Sequence, residues 1–510
     1  MKSSFYRKKW SNIKAHIVDS EKIKRLSRQV AHSFMDSYLK NCHYEEDYID
    51  LLCEMTTFSR DPDLNSDAAQ SLFSIIIESL CDDFEELQTE TYNRVMTQVI
   101  TFCRRLSAGK ELDRSLNDFR VYSRMDLLER IKTIRLEAKS LSRHRDIKKI
   151  LPLSRVTIGA DVAVTSVIIQ RLAELHPKAE MVLIGGGKLD EIYGGNPRIR
   201  LQKVEYERNG GLLERLSNWQ LVLNIIQQEL ASCSLDNTIL VDPDSRLSQL
   251  GVLPIISPDH YYFLDSRSAF SFAANMSMAQ LTNAWLDRVT GVADFRYPGV
   301  WLLPGPVQKA AALYNKLKNN GTRRVIAINF GVGGNPRKKV GRLLEQKLLL
   351  SLLQEPNTVI VLDKGLGEKE LQYSNFLLNV VKQNGYAIEE TVFAAEFTSD
   401  ISSGVIGLQT SIGEIAAIIA KCDEYIGYDS ACQHIAAALQ TPCLTIFAGS
   451  NNMRFIRRWS AFGANNCRLV HVDTLSDPTA IDVEDIIIRI MNERRMQTSK
   501  SNKPELAIDY

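Results

Sequence analysis

Apolar residues recur every three or four positions from Asp19 to about Arg145: Ile23, Leu26, Val30 and Phe34, then Tyr48, Leu51, Leu52 and Met55, then Leu72, Ile75, Ile76 and Leu80, then Val95, Val99, Phe102 and Leu106. That is the period of helices with one buried face. Asp61, Pro62 and Asp63 interrupt it, as do Ser107 to Gly109, so residues 1–147 are predicted to form a domain of five or six helices. From Lys148 the pattern changes. Short apolar runs (KKILPL, MVLIGGG, IRLQKVEY, NTILVD, HYYFLD) alternate with helical stretches such as Leu212 to Leu230 and Ala269 to Leu286. A second series, RRVIAINFG, TVIVLDKG, TVFAAEF and RLVHVD, alternates with helices predicted at Arg342 to Leu353, Glu368 to Gln383 and Val483 to Met491. Between the two series RYPGVWLLPGP reads as a linker.

Strands separated by helices predict parallel, doubly wound sheets. The expected fold is therefore α/β: two tandem Rossmann-like domains, 148–305 and 306–490, preceded by the all-helical domain and followed by a tail, 491–510. Gln409 to Gly449 is the clearest unit. It reads as a helix (Ile412 to Ala420), a strand (Glu424 to Tyr428), a turn, a short helix (Ala431 to Leu439) and a strand (Cys443 to Phe447). In such a unit the turn after the first strand lies on the carboxyl edge of the sheet, where open α/β sheets bind ligands. Asp429, Ser430 and His434 fall there.

Composition narrows the class. Lys and Arg total 62 against 61 for Asp and Glu, so no global field draws the chain to nucleic acid. The nine cysteines are scattered singly, without a CxxC pair or zinc spacing, which points to reduced thiols, no metal and a cytoplasmic location. No apolar run reaches membrane-spanning length. The first 18 residues carry five basic side chains and no acidic one, with Phe5, Tyr6 and Trp10 between them. A frayed, solvated terminus is the favoured reading, and peripheral contact with an anionic inner-membrane surface the other. Nothing in the helical region has catalytic spacing: His16, His32 and His43 lie on separate elements, and Asp82, Asp83, Glu85 and Glu86 read as solvated faces. Its expected role is oligomerisation or partner docking.

The unit at 409–449 resembles the C-terminal signature of glycosyltransferase family 9, the bacterial heptosyltransferases. Thr410, Ser411 and Glu414 match its leading segment, and Asp429, Ser430, His434, Ala436, Ala437, Ala438 and Leu439 its D-S/T-G-x-x-H-L-A-A-A-L turn. Thr441, Pro442, Phe447 and Gly449 match the G-T-P and the strand that follow. IGADVAVTSVIIQRLAELHPKAEMVLI is similar to the family's first G-D-V turn and helix, so the resemblance covers about residues 148–490. It implies a GT-B type fold and an inverting, metal-independent transfer of a heptose or related sugar. The donor is a nucleotide-sugar, ADP-heptose by the resemblance, and the acceptor a lipopolysaccharide-core-like or other surface glycan or glycolipid. No cofactor is implied. The alternatives are a protein-directed transferase and a noncatalytic nucleotide-sugar or glycan binder.

The same resemblance assigns roles. Asp161 corresponds to the general base that takes the acceptor's proton; by itself it also reads as a helix cap. Donor-binding positions are Lys338 or Lys339, Glu368 near the ribose, Thr410, Asp429, Ser430, Ala431 and His434. A helix starting at Ser430 offers free N–H groups to a diphosphate, while Asp429, being anionic, is expected to cap that helix or orient a sugar hydroxyl. The chain departs from the pattern where Ala431 replaces a glycine and where Phe447-Ala448-Gly449-Ser450 replaces F-G-x-T. The GGGK at Gly185 to Lys188 lacks the spacing of a phosphate loop. Asp242 and Asp244 have the spacing of a metal-binding pair after a strand, although no metal is expected.

Overall fold

The computed structural model describes all residues except 1, 16–18, 42, 82–83, 137–138, 143–144, 207–209, 268–274, 398–399, 465–466 and 502–510. His16, Asp82, Asp83 and the end of the tail therefore lie outside the described residues.

Two all-parallel sheets carry the chain after residue 148. The first contains β1 (Lys149–Pro152), β2 (Glu180–Gly185), β3 (Ile199–Lys203), β4 (Thr238–Asp242) and β5 (Tyr261–Phe263), in the order β3-β2-β1-β4-β5. The second contains β6 (Arg324–Asn329), β7 (Thr358–Asp363), β8 (Ile388–Val392), β9 (Gly404–Gln409), β10 (Glu424–Tyr428), β11 (Cys443–Phe447) and β12 (Cys467–His471), in the order β12-β11-β10-β6-β7-β9-β8. The chain reverses its direction of winding between β1 and β4 in one sheet and between β6 and β10 in the other. Each reversal opens a crevice beyond the carboxyl ends of the strands. The central strands are buried along their whole length, as a sheet covered by helices on both faces requires.

The fold class agrees with the sequence reading, and several element boundaries do not. TVFAAEF is not a strand: pairing ends at Val392, and the interior strand β9, GVIGLQ, lies a dozen residues on. The expected linker RYPGVWLLPGP ends inside a helix, Pro304–Asn319, whose first residue is a proline with φ already set for a helix. The start expected at Ala269 lies outside the described residues; within them the helix runs Met278–Thr290, opened by a capping box of Ser277 and Gln280.

The helical segment is not a separate globule. One continuous core joins Ile23, Phe34, Tyr48 and Val95 to Leu151, Val182 and Trp219 of the first sheet and its helices. Arg215 stands 4.0 Å over the Phe73 ring, and Arg267 4.8 Å over Tyr92. The terminus is not frayed either. Ser3–Lys14 is a helix that buries Tyr6 and Trp10, with Trp10 edge-on to Phe58 at 4.8 Å, so two of the three aromatics of the membrane reading are already engaged by the protein. Among the described residues no helix is long and apolar enough to cross a membrane. Trp10→Ala is expected to lower unfolding free energy by about 3–5 kcal/mol in urea denaturation; an unchanged midpoint would mean that this helix is not docked.

Candidate functional site

The two crevices face each other. At the exit of β1 the chain enters the short helix Ile158–Ala160, passes through a π-helical turn at Asp161–Thr165 and continues as Ser166–Leu175. Such widened turns recur at functional sites. This segment packs against the helix Ala431–Ala438 that follows β10. A Cβ added at Gly159 would stand 3.1 Å from the Ala431 Cα and 3.1 Å from the His434 ring, so any side chain there would press the two segments apart by a few tenths of an ångström.

Asp161 is buried, and its carboxylate is held entirely by its own turn. Ser154 Oγ donates to Oδ2 at 2.7 Å, while the Arg155 N–H and Thr165 Oγ1 donate to Oδ1 at 2.7 and 2.8 Å. Burial nevertheless dominates and pushes its pKa up to about 6. Neither aspartate is a helix cap: Asp161 lies inside the helix, and Asp429 is engaged elsewhere. Gln433 Nε2 donates to Asp429 Oδ1 at 2.5 Å, and the Lys338 ammonium lies 2.5 Å from Oδ2, off the line of an ordinary hydrogen bond. Gln433 is fixed in turn by Thr445, whose hydroxyl donates to Oε1 at 2.8 Å.

Lys338 and Lys339, adjacent in sequence, part here. Lys338 reaches Asp429, whereas Lys339 lies 4.5 Å over the Tyr373 ring. Gly449 determines this arrangement. Its φ is +80°, and a Cβ there would meet the Arg337 carbonyl oxygen at 2.6 Å and the Lys338 nitrogen at 3.1 Å, so the lysine loop lies directly on the glycine. The Val340 N–H donates to Tyr428 Oη at 3.3 Å and ties the end of that loop to β10.

Ser430 occupies the N-cap position of the helix Ala431–Ala438 yet makes no capping bond. Its hydroxyl and that of Tyr425 are buried without a hydrogen bond of ordinary geometry. The two hydroxyls are each other's side-chain neighbours, and Ser430 stands at the start of a helix whose first N–H groups favour an anion, next in sequence to the Asp429 that holds Lys338. His434, one turn on, is buried, and burial lowers its pKa to about 4, which keeps the imidazole neutral at physiological pH.

The remaining expected residues stand apart. Thr410 is buried and donates to Asp363 Oδ1 at 2.9 Å, and Glu368 is exposed at the start of its helix, accepting from Gln372 at 3.2 Å. Asp363 also accepts from Asn329 at 2.5 Å, and Asn329 Oδ1 accepts from the Gly331 N–H at 2.8 Å. This network across the ends of β6, β7 and β9 orients the loop that leads to Lys338. The sequence reading missed it, although each apolar run ends on a polar residue: RVIAIN, TVIVLD, VIGLQT. Glu191 of the first half was missed too. It accepts from Ser411 Oγ at 2.5 Å and from the Gly413 N–H at 2.8 Å, an acid at the start of a helix in the second half.

The other motifs are occupied by the protein itself. The Gly187 N–H donates to Glu205 at 2.6 Å. Asp242 accepts from Tyr261 at 2.6 Å, and Asp244 pairs with Arg267 at 3.1 Å and Ser266 at 2.7 Å. Among the described residues there is no cluster of three or more His, Cys, Asp or Glu that could hold a metal ion.

Residues 387–474 match the model of glycosyltransferase family 9 (heptosyltransferase). The matched residues run from β8 to just past β12 of the second sheet. That segment contains Thr410, Asp429, Ser430, Ala431, His434 and Gly449. No curated protein matches the chain significantly. Among solved structures, the family 9 glycosyl transferase of Veillonella parvula is 14% identical, covers 70% of this chain and 98% of its own, and superposes with a TM-score of 0.49. The Escherichia coli ADP-heptose LPS heptosyltransferase II is also 14% identical, with 70% and 100% coverage and a TM-score of 0.45.

The buried acid opposite the family 9 segment gives a pH signature. An exposed aspartate titrates near 3.8 and Asp161 near 6, so the folded state holds the extra proton between those values. The stabilising contribution of the neutral acid is complete below pH 4 and is lost as pH rises through 6. Relative to wild type, Asp161→Asn is expected to gain about 3 kcal/mol of stability between pH 4 and 7, read from urea unfolding at each pH. His434 acts in the opposite sense, its contribution being lost as pH falls from 6.5 toward 4. Parallel pH curves for the Asn variant and wild type would contradict the shift at Asp161.

Proposed function

We propose that the protein is an inverting glycosyltransferase that moves a heptose or related sugar from a nucleotide-sugar to a glycan or glycolipid acceptor. The observation that carries this reading is the meeting of Lys338 with Asp429, next to the uncapped start of the helix Ala431–Ala438, at the switch point of the second sheet, where Asp429 and that helix lie within the residues that match family 9. The sugar follows the family's description, and an ADP-linked donor and a lipopolysaccharide-core-like acceptor follow the sequence resemblance.

In this reading the acceptor hydroxyl gives its proton to the Asp161 carboxylate while its oxygen attacks the anomeric carbon. The bond from that carbon to the diphosphate breaks on the opposite face, and the nucleoside diphosphate leaves with the electron pair. Lys338, the helix N–H groups and the Ser430 hydroxyl meet the charge on the leaving group, and neutral His434 offers a further N–H. These donors do the work a metal ion would otherwise do. A pKa near 6 suits a base working at neutral pH. Because Asp161 is buried, the acceptor reaches it when the two sheets move apart. Cytoplasmic action, with the donor pool, belongs to the same reading.

The three protein donors on the Asp161 carboxylate, reaching both oxygens, favour the second reading, a noncatalytic nucleotide-sugar binder. Transfer and donor hydrolysis with ADP-heptose separate the two. Asp161→Asn is expected to lower kcat by about 10²–10⁴-fold with donor affinity kept, as measured by calorimetry. Binding without turnover in the wild type would leave the binder. Lys338→Ala is expected to weaken ADP binding by about tenfold or more, as loss of a charged hydrogen-bond partner does, and Lys339→Ala to change it little. Equal effects of the two lysines would contradict the phosphate role of Lys338.

A further inference from the structure

The helix Met453–Trp459, beside the candidate site, is gripped by the junction that opens the helix Glu86–Cys103 of the N-terminal segment. Arg454 Nη1 donates to the Phe84 carbonyl at 2.7 Å and lies 3.0 Å from Glu85. The Phe84 ring centroid is 6.3 Å from that of Trp459 and 6.4 Å from that of Phe455, and Arg458 stands 5.8 Å over its face. Phe84 has φ +56°, a region that bulky side chains rarely occupy. Its ring is buried in a core shared with Val162 and Val164 of the first half and Ile435 of the second. The strained backbone persists because ring and carbonyl are both engaged.

Trp459 carries this grip into the site. Its carbonyl accepts from Gln433 Nε2 at 3.2 Å, the same amide nitrogen that donates to Asp429. Its ring centroid lies 6.1 Å from that of His434, and the Arg155 guanidinium stands 5.7 Å from it. The Arg155 backbone N–H is one of the three donors that hold Asp161. One indole thus touches the helical segment, the Asp161 turn and the Asp429–His434 turn.

We propose that Phe84 is a positioning residue: through Trp459, the helical segment sets where the Asp429–His434 turn stands relative to Asp161. The helical segment shares its core with the first sheet, so a contact from it to the second sheet fixes the two sheets against each other. This gives the segment an intramolecular role distinct from partner docking. The proposal rests on the donor-site reading above for its kinetic consequence, but not for its structural one.

The test uses the full chain carrying one spin label on an exposed helix of each sheet, in wild type, Phe84→Ala, Phe84→Met and Arg454→Gln. The alanine variant is expected to broaden and lengthen the intersheet distance distribution. It should also raise the KM for ADP-heptose by about tenfold, with a smaller change in kcat and unchanged helix content by circular dichroism. The methionine variant, close in volume, should restore most of both readouts. Arg454→Gln, which removes the contacts to Phe84 and Glu85 from the other side without altering the helical segment's own residues, should move them in the same direction as alanine. Wild-type distances in both Phe84→Ala and Arg454→Gln would overturn the proposal. So would a loss of stability shared by the alanine and methionine variants without any change in distance. If the wild type shows no turnover, the transferase reading fails, and the distance measurements still decide the role of Phe84.

Discussion

The two halves meet closely at Gly159, where an added Cβ would stand 3.1 Å from the Ala431 Cα and 3.1 Å from the His434 ring. Much of the site's chemistry follows from that contact. It buries Asp161 and His434 together, and burial pushes their pKa values in opposite directions, to about 6 and about 4. Both shifts favour neutral groups in the closed cleft. The cations and anions that remain are paired or hydrogen-bonded: Lys338 with Asp429, and Glu191 with the start of the helix Ile412–Ile419. Leaving the buried Asp429 unpaired would cost several kcal/mol.

A second glycine has a comparable effect within one half. Gly449 brings the backbone of Arg337 and Lys338 against the end of β11, and Tyr428 and the Asn329–Asp363–Thr410 network fix the two ends of the same loop. Lys338 is therefore delivered to Asp429 by backbone geometry, with its rotamer needed only for the last step. The helical segment adds the third constraint, because its core is continuous with the first sheet while the Phe84 ring also meets Phe455 and Trp459 of the second half.

The sequence made the sheets legible because buried parallel strands are apolar runs and the helices between them have a clear period. The helices Arg342–Leu353 and Glu368–Gln383 and the strand Glu424–Tyr428 were all readable to the residue. The misses have local causes. Pro304 looks like a linker residue and is a helix start, and β8 alternates half-buried positions at a sheet edge, so its signal is weaker than that of the TVFAAEF run beside it. The turn at Asp429, Ser430 and His434 was legible from its position after a strand. The separation of Lys338 from Lys339 was not, because it depends on Gly449, more than a hundred residues later. Glu191, Phe84 and Trp459 act through contacts between distant elements, which no local pattern reports.

The most direct test of the account is a crystal structure of the protein with ADP bound. The diphosphate oxygens are expected within hydrogen-bonding distance of the Ser430 hydroxyl, of the first N–H groups of the helix Ala431–Ala438 and of the Lys338 ammonium. A nucleotide bound elsewhere, such as on the Gly185 to Lys188 loop, or one that leaves Lys338 on Asp429 and Ser430 unpartnered, would contradict the central claim.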